Sequence, residues 1–216
     1  IVAASDVYKR QALMLATFAF AQRQITISFV ETSDVHGNYL PYDFINGRPG
    51  EGGLARVCTY VEKLRNKQGK DRVVLLDNGD ILQGQPTAYY YDYIDTTSTH
   101  LCADVLNFMH YDAGTVGNHD VETGHAVYDR WVSQCRYPVL GANVIDVRSG
   151  KPYWKPYTIL KRQGVRIAVL GMITPCIPMW LPQNLWENLR FDDQEAIARQ
   201  YMPEMQRQAD IIVGLF

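Results

Sequence analysis

Short apolar runs alternate along the chain with longer stretches of helical spacing. Residues 25–30 (ITISFV) read as a strand. Residues 53–67 carry apolar side chains at 54, 57, 58, 61 and 64, the three-and-four spacing of one helix face. The run 72–76 is nearly all apolar, as in a strand buried on both faces. Residues 98–109 predict a helix capped by Ser98 or Thr99, 111–116 a short strand, 124–135 a helix and 138–144 one further strand. Two strands, 153–161 and 165–173, then flank Gln163-Gly164 as a hairpin. Residues 192–208 return to helix, and the β-branched run from Ile211 predicts a buried strand. This alternation predicts an α/β fold with a largely parallel sheet, to which the hairpin adds an antiparallel element.

Composition narrows the class. The chain has 216 residues, enough for one large domain or one domain plus a piece. Its 21 basic and 23 acidic residues leave a net charge of −2, without the basic footprint of a nucleic-acid polymer binder. A 47% hydrophobic and 20% charged content excludes disorder. The 4 cysteines are widely spaced without a CxxC, which supports neither a zinc ribbon nor a thioredoxin-type pair. No apolar run reaches the roughly 18 residues of a membrane span.

The ends are unusual. The run ALMLATFAFA at 12–21 closes on Ala19-Phe20-Ala21 and is followed by polar residues. That is the h-region and cleavage site of a secretory signal peptide, predicting a periplasmic or secreted protein. Residues 5–11 (SDVYKRQ) resemble a peptide made when sequencing-adapter DNA is translated by accident. Residues 1–24 are therefore read as a signal-peptide remnant joined to a sequence artefact. Because residues 211–216 enter a strand, the chain is read as a fragment at both ends.

Three predicted strands each run into a polar, glycine-containing turn. These are Asp34-Val35-His36-Gly37-Asn38, Gly79-Asp80 and Gly117-Asn118-His119-Asp120. Any one of them alone has ordinary turn composition. Ligands of open α/β sheets collect beyond the carboxyl ends of strands, so the three ends are expected to converge. Their mixed oxygen and nitrogen donors suit zinc, manganese or iron rather than calcium. A carboxylate among them can bridge two cations, as in phosphoryl-transfer sites.

This ordered set resembles the calcineurin-like metallophosphoesterases. The finer pattern of SDVHGN, GDILQG, GNHD and Gly141-Ala142-Asn143 resembles the secreted 5′-nucleotidase / 2′,3′-cyclic-nucleotide phosphodiesterase branch, over about residues 25–216. The resemblance implies an α/β/β/α sandwich truncated before its last strands. Residues 25–216 would be the N-terminal part of the catalytic domain, with the C-terminal nucleotide-recognition domain absent. It implies two divalent metal ions (zinc, manganese, iron or similar), with Asp34 and His36 on the first, Asp80 bridging and Asn118 on the second. Asn118 and His119 would meet the phosphoryl group of a small-molecule nucleotide. His119 would stabilise charge or protonate the leaving oxygen, with Asp120 orienting it, and a water between the cations would attack phosphorus.

The family's remaining imidazoles come from a later strand and a Gly-His-x-His motif, beyond Phe216. The chain alone is accordingly expected to bind metal weakly and turn over little. Other readings are a UDP-sugar hydrolase or another non-nucleotide metallophosphoesterase, and a non-catalytic scaffold, against which the intact motif residues argue. His100, His110 and His125 read as packed or surface histidines. Tyr89 to Tyr93 read as an aromatic cluster on a surface groove rather than a base-stacking platform, Trp154, Trp180 and Trp186 as packing residues, and 177–186 as an irregular loop that could edge a cleft. Gln83 and Asn143 either touch substrate or serve turn hydrogen bonds.

Overall fold

The computed structural model describes residues 24–44 and 46–216; the signal-peptide run and the stretch 5–11 lie outside the described residues. The first half contains β1 (Ser28–Thr32), β2 (Tyr42–Asp43), β3 (Arg48–Pro49), α1 (Leu54–Gln68), β4 (Val73–Asp77), α2 (Pro86–Tyr89), α3 (Leu101–Met109) and β5 (Ala113–Thr115). There follow α4 (Asn118–Val121), α5 (His125–Gln134), β6 (Val139–Leu140), β7 (Val144–Asp146), β8 (Lys151–Pro152), β9 (Tyr157–Arg162) and β10 (Val165–Gly171). The remainder is α6 (Ile177–Trp180), β11 (Leu189–Phe191), α7 (Gln194–Gln208) and β12 (Ile211–Leu215).

Two sheets form the centre. One is wholly parallel, in the order β1-β4-β5-β6. The other is ordered β12-β10-β9, with β9 and β10 antiparallel as the hairpin pattern predicts, and β12 parallel to β10. Strand side chains alternate faces, and this alternation assembles the layers. Val74 and Leu76 of β4 face Ile167 and Val169 of β10 in an inter-sheet core. Leu75 between them points the other way, into a cluster with Leu54, Val61, Leu106 and Trp131 from α1, α3 and α5. Ala168 and Leu170 of β10 meet Ile197 and Met205 of α7 on the opposite side. The order of layers is thus α/β/β/α, as expected.

The structure corrects several local expectations. The first strand occupies 28–32 rather than 25–30, in register with Val73–Asp77. The helix expected from 98 begins at Leu101, and its cap is His100, whose Nδ1 accepts from the Cys102 N–H. Ser98 is instead bound, through its N–H, to the Asp95 carboxylate. The single strand expected over 138–144 is two, β6 and β7. Gly141 N–H donates to Lys155 and Ala142 N–H to Gly171, which draws the chain out of the parallel sheet. β7 then joins a separate antiparallel sheet, β11-β7-β8. β12 is only partly buried, with Leu215 enclosed and Ile211 exposed. The stretch expected as an irregular loop contains α6 and a 3₁₀ turn, Gln183–Leu185.

Residues with open roles find plain ones. His100 is fully buried; with Nδ1 accepting, its Nε2–H donates to the buried Asp92 carboxylate at 2.8 Å. His110 ends α3 in the left-handed region, and His125 pairs with Asp129 at 3.0 Å. Trp154 is buried, whereas Trp180 is exposed, contrary to the packing role expected of it. Tyr89, Tyr90 and Tyr93 lie at the surface. The four cysteines Cys58, Cys102, Cys135 and Cys176 are free. Among the described residues no helix is long and apolar enough to cross a membrane. Asn143 is wholly buried and stitches the backbone: its amide donates to the Ile173 and Asp192 carbonyls, and its oxygen accepts from Ile173 N–H.

Asn143→Ala should therefore leave buried backbone groups unpaired and cost about 2–4 kcal/mol, read as a lower urea midpoint. A second test concerns Asp77, buried at the end of β4, which accepts from the Thr32 hydroxyl and Gly79 N–H. Burial pushes its carboxyl from 3.8 up to about 8. The native state then holds a proton that the unfolded chain has released, so Asp77's contribution to stability falls as pH rises from about 4 through about 8. Between pH 6.5 and 8 the urea midpoint should drop, by about 1–2 kcal/mol in stability, and Asp77→Asn should abolish that drop.

Candidate metal centre

The carboxyl ends of β1, β4 and β5 each release a loop on the same edge of the parallel sheet. Backbone hydrogen bonds lock the first two loops together: Asp34 N–H donates to Gly79 at 3.1 Å and His36 N–H to Asp80 at 2.9 Å. The second and third loops are joined through side chains. Asp80 Oδ1 accepts from His119 N–H at 2.8 Å. Asp120, fully buried, accepts from the N–H groups of Asp80, Ile81, Leu82 and Gly117, each at 2.8–2.9 Å. The crossing is so close that a Cβ on Gly79 would lie 2.4 Å from Gly117 N, and one on Gly117 2.1 Å from Asp80 Oδ1. Only glycine fits at either position.

Three of the expected donors sit in strained backbone. Asp34, His36 and Asp80 have φ of 53°, 50° and 57°, in the left-handed region that non-glycine residues rarely occupy. Such residues cost on the order of 1 kcal/mol each and persist where the surroundings hold them. Here the loop-to-loop hydrogen bonds do so.

Part of the expected set converges, with Asp34 outside the group. One ligand atom from each of His36, Asp80 and His119 lies within 4.8 Å of the others. Asp34 Oδ1 is 3.9 Å from His36 Nε2, and its side chain is 63% exposed. The His36 and His119 rings meet edge-on with centroids 5.2 Å apart. His36 Nδ1 hydrogen-bonds to the Gln83 carbonyl at 3.0 Å, so Nδ1 carries the hydrogen and Nε2 is left free to ligate. This is also the contact that Gln83 makes with the site, through its backbone. Asn118 opens α4, half-buried, immediately before His119.

The grouped side chains are of the kinds that can hold a cation. Burial raises the Asp80 carboxyl, and the Asp34 charge adds to this; the His119 N–H and the two imidazoles oppose it. Carboxylate oxygens and an imidazole nitrogen face one another without a lysine or arginine among these neighbours. Such a donor set fits a borderline divalent ion.

Asp120 does not have the expected role. Its two oxygens are consumed by four backbone N–H groups, so it organises the loops rather than the His119 ring. Burial raises its carboxyl to about 6, with the N–H groups of Gly117 and Leu82 holding it down. The partner of His119 is Glu122, whose Oε2 lies 2.9 Å from Nδ1. Sequence reasoning missed Glu122. Its signal was the three-residue spacing from His119, which places both on one face of a helical turn. The end of β12 also reaches this edge, with Asn78 Nδ2 donating to the Phe216 carbonyl at 3.4 Å.

Comparison with known proteins finds relatives of this chain. The chain is 30% identical over 216 residues to a 2′,3′-cyclic-nucleotide 2′-phosphodiesterase/3′-nucleotidase of Yersinia enterocolitica, covering 94% of this chain and 33% of that protein. It is 31% identical to the trifunctional nucleotide phosphoesterase protein YfkN of Bacillus subtilis, covering 90% of this chain and 14% of that protein. The chain thus spans a third or less of the length of these relatives. The crystal structure of calcineurin-like phosphoesterase YfkN from Bacillus subtilis superposes with a TM-score of 0.79 at 31% identity, covering 89% of this chain and 62% of that one. Residues 27–202 match the calcineurin-like phosphoesterase family, and the chain belongs to that family.

Proposed function

We propose that the protein hydrolyses phosphoester bonds of small-molecule nucleotides, in the manner of a 5′-nucleotidase or 2′,3′-cyclic-nucleotide phosphodiesterase. The observation that carries this reading is the convergence of His36, Asp80 and His119 within 4.8 Å at the strand ends. The nucleotide-processing names of the relatives support the substrate class. Asp34 and His36 would hold one divalent cation, Asp80 would bridge to a second, and Asn118 would join the second. Bound there, the two cations would supply charge neutralisation of the phosphoryl group and an activated water.

The remaining work falls to the chain itself. His119, braced at Nδ1 by Glu122, presents its other ring nitrogen for the phosphoryl oxygens or the leaving oxygen. Asp120 keeps the Asp80 and Gly117 loops in register, so the donors need no rearrangement when a cation binds. The described donors are few for two cations, each of which takes about four or more ligands. The chain by itself therefore binds metal weakly and turns over little, and full activity belongs to a longer protein in which residues 25–216 form the N-terminal part of the catalytic domain. The leader-like run at 12–21 supports a periplasmic or secreted location.

In the longer protein, manganese binding followed by electron paramagnetic resonance should weaken at least about tenfold in Asp80→Asn, and phosphate release from AMP or 2′,3′-cyclic AMP should stop with chelator and return with manganese or zinc. Release that persists in chelator, or manganese binding indifferent to Asp80→Asn, would remove the basis of the reading. His119→Ala should lower kcat by about 10²–10⁴ with manganese affinity retained. Glu122→Gln should lower kcat by a smaller factor at unchanged KM, since it loosens the ring without removing it.

A further inference from the structure

The first turn of α5 holds a histidine whose two ring nitrogens both face acceptors. His125 Nδ1 lies 3.0 Å from Asp129 Oδ2, one helical turn along, and Nε2 lies 2.9 Å from the Glu187 carbonyl oxygen. A carbonyl cannot donate. Asp129 accepts as well: its other oxygen takes the Tyr153 hydroxyl at 2.9 Å. Burial and that carboxylate push the Tyr153 phenol above its ordinary value, so it keeps the hydrogen it donates. Both hydrogen bonds of His125 therefore require a hydrogen on each nitrogen, which only the imidazolium carries. A neutral ring would turn a lone pair on either the carboxylate or the carbonyl.

Opposed forces act on this charge. His125 opens α5, where the helix dipole disfavours a cation. Asp129, four residues on, offsets that. The titratable groups about the ring are Asp129 and Tyr128 on α5, Tyr153 after β8, and Glu187, which offers its backbone. Asp146 and Arg148 act at one remove, through Tyr153, and Glu122 on the preceding turn is engaged with His119.

The segment that His125 grips runs from α6 to β11 and is moored to α5 at two points. Tyr128 donates its hydroxyl to the Leu185 carbonyl at 3.1 Å, and burial pushes that phenol up, so this mooring is indifferent to pH near neutrality. The Glu187 mooring is the one that a proton controls. Asn188, next in the chain, has left-handed backbone at φ 62°, a conformation that persists where surrounding contacts hold it.

We infer that His125 is a protonation-operated latch. As the imidazolium it holds the chain at Glu187 against α5; on losing the Nε2 proton it releases the turn 186–188 while Leu185 stays moored. The remaining hydrogen stays on Nδ1, because a bond to a carboxylate is stronger than one to a carbonyl. The latch is shut on the acid side and opens as pH rises, independently of the metal centre and of hydrolysis.

The test is NMR on the full chain, isotope-labelled in its nitrogens, from about pH 5 to 8.5. On titration Nε2 of His125 should lose its hydrogen and Nδ1 should keep it. The backbone amides of Glu187, Asn188 and Leu189 should shift with the same midpoint as the ring. Leu189 N–H, which donates to the Trp186 carbonyl at 3.1 Å, should exchange at least about fivefold faster above that midpoint, after allowance for the intrinsic effect of pH on exchange. In His125→Gln the three amides should lose their pH response, and Asp129→Asn should lower the ring's midpoint by about half a pH unit or more. The inference is overturned by a ring that titrates without moving the three amides, by loss of hydrogen from Nδ1 instead of Nε2, by amide responses that survive in His125→Gln, or by a midpoint unmoved in Asp129→Asn. The ring and amide titrations of the unaltered chain decide the matter even where a variant unfolds.

Discussion

A single buried carboxylate holds the candidate centre together. Asp120 accepts four backbone N–H groups, three from the loop after β4 and one from the loop after β5. Each of those groups lies at a strand end where the sheet offers it no partner. Without the carboxylate they would be buried and unpaired, a cost of about 1–3 kcal/mol apiece. The same contacts fix the distance between Asp80 and His119, and thereby the spacing of the donors.

That constraint makes the strain at the site tolerable. Asp34, His36 and Asp80 all adopt left-handed backbone. In an isolated loop each would relax. Here Asp34 N–H and His36 N–H are tied to the neighbouring loop, which is itself tied to the next by Asp120 and by Asp80 Oδ1. A chain of hydrogen bonds thus runs across three strand ends and presents anionic and imidazole groups to one another. The repulsion between Asp34 and Asp80 and the burial of Asp80 leave the arrangement suited to positive charge.

The layers behind the site provide rigidity. Val74 and Leu76 anchor β4 in the inter-sheet core while Leu75 anchors it to the helices, so the strand that delivers Asp80 is gripped on both faces. The Asn143 amide serves a similar end further along, binding the turn between β6 and β7 to the backbone after β10. Both cases place a polar side chain where the backbone leaves a sheet and has lost its ladder partner. Asp120 and Asn143 look like functional loop residues in sequence because turns and sites draw on the same residue types.

Periodicity alone was enough to read α1, α5, α7 and the β9–β10 hairpin, since each buries one continuous face and its pattern is local. The strand-end motifs, with Asp34, His36, Asp80, Asn118 and His119, were legible because donor chemistry is a property of residue type. What the sequence could not decide depended on partners distant along the chain. The break of 138–144 into two strands follows from carbonyls of Lys155 and Gly171. The choice of Glu122 over Asp120 as the partner of His119 depended on which carboxylate was already saturated by backbone N–H groups. Residue type determines which chemistry a chain can offer; packing decides which of two neighbouring carboxylates is free to offer it, because a buried acceptor satisfies the nearest unpaired donors first.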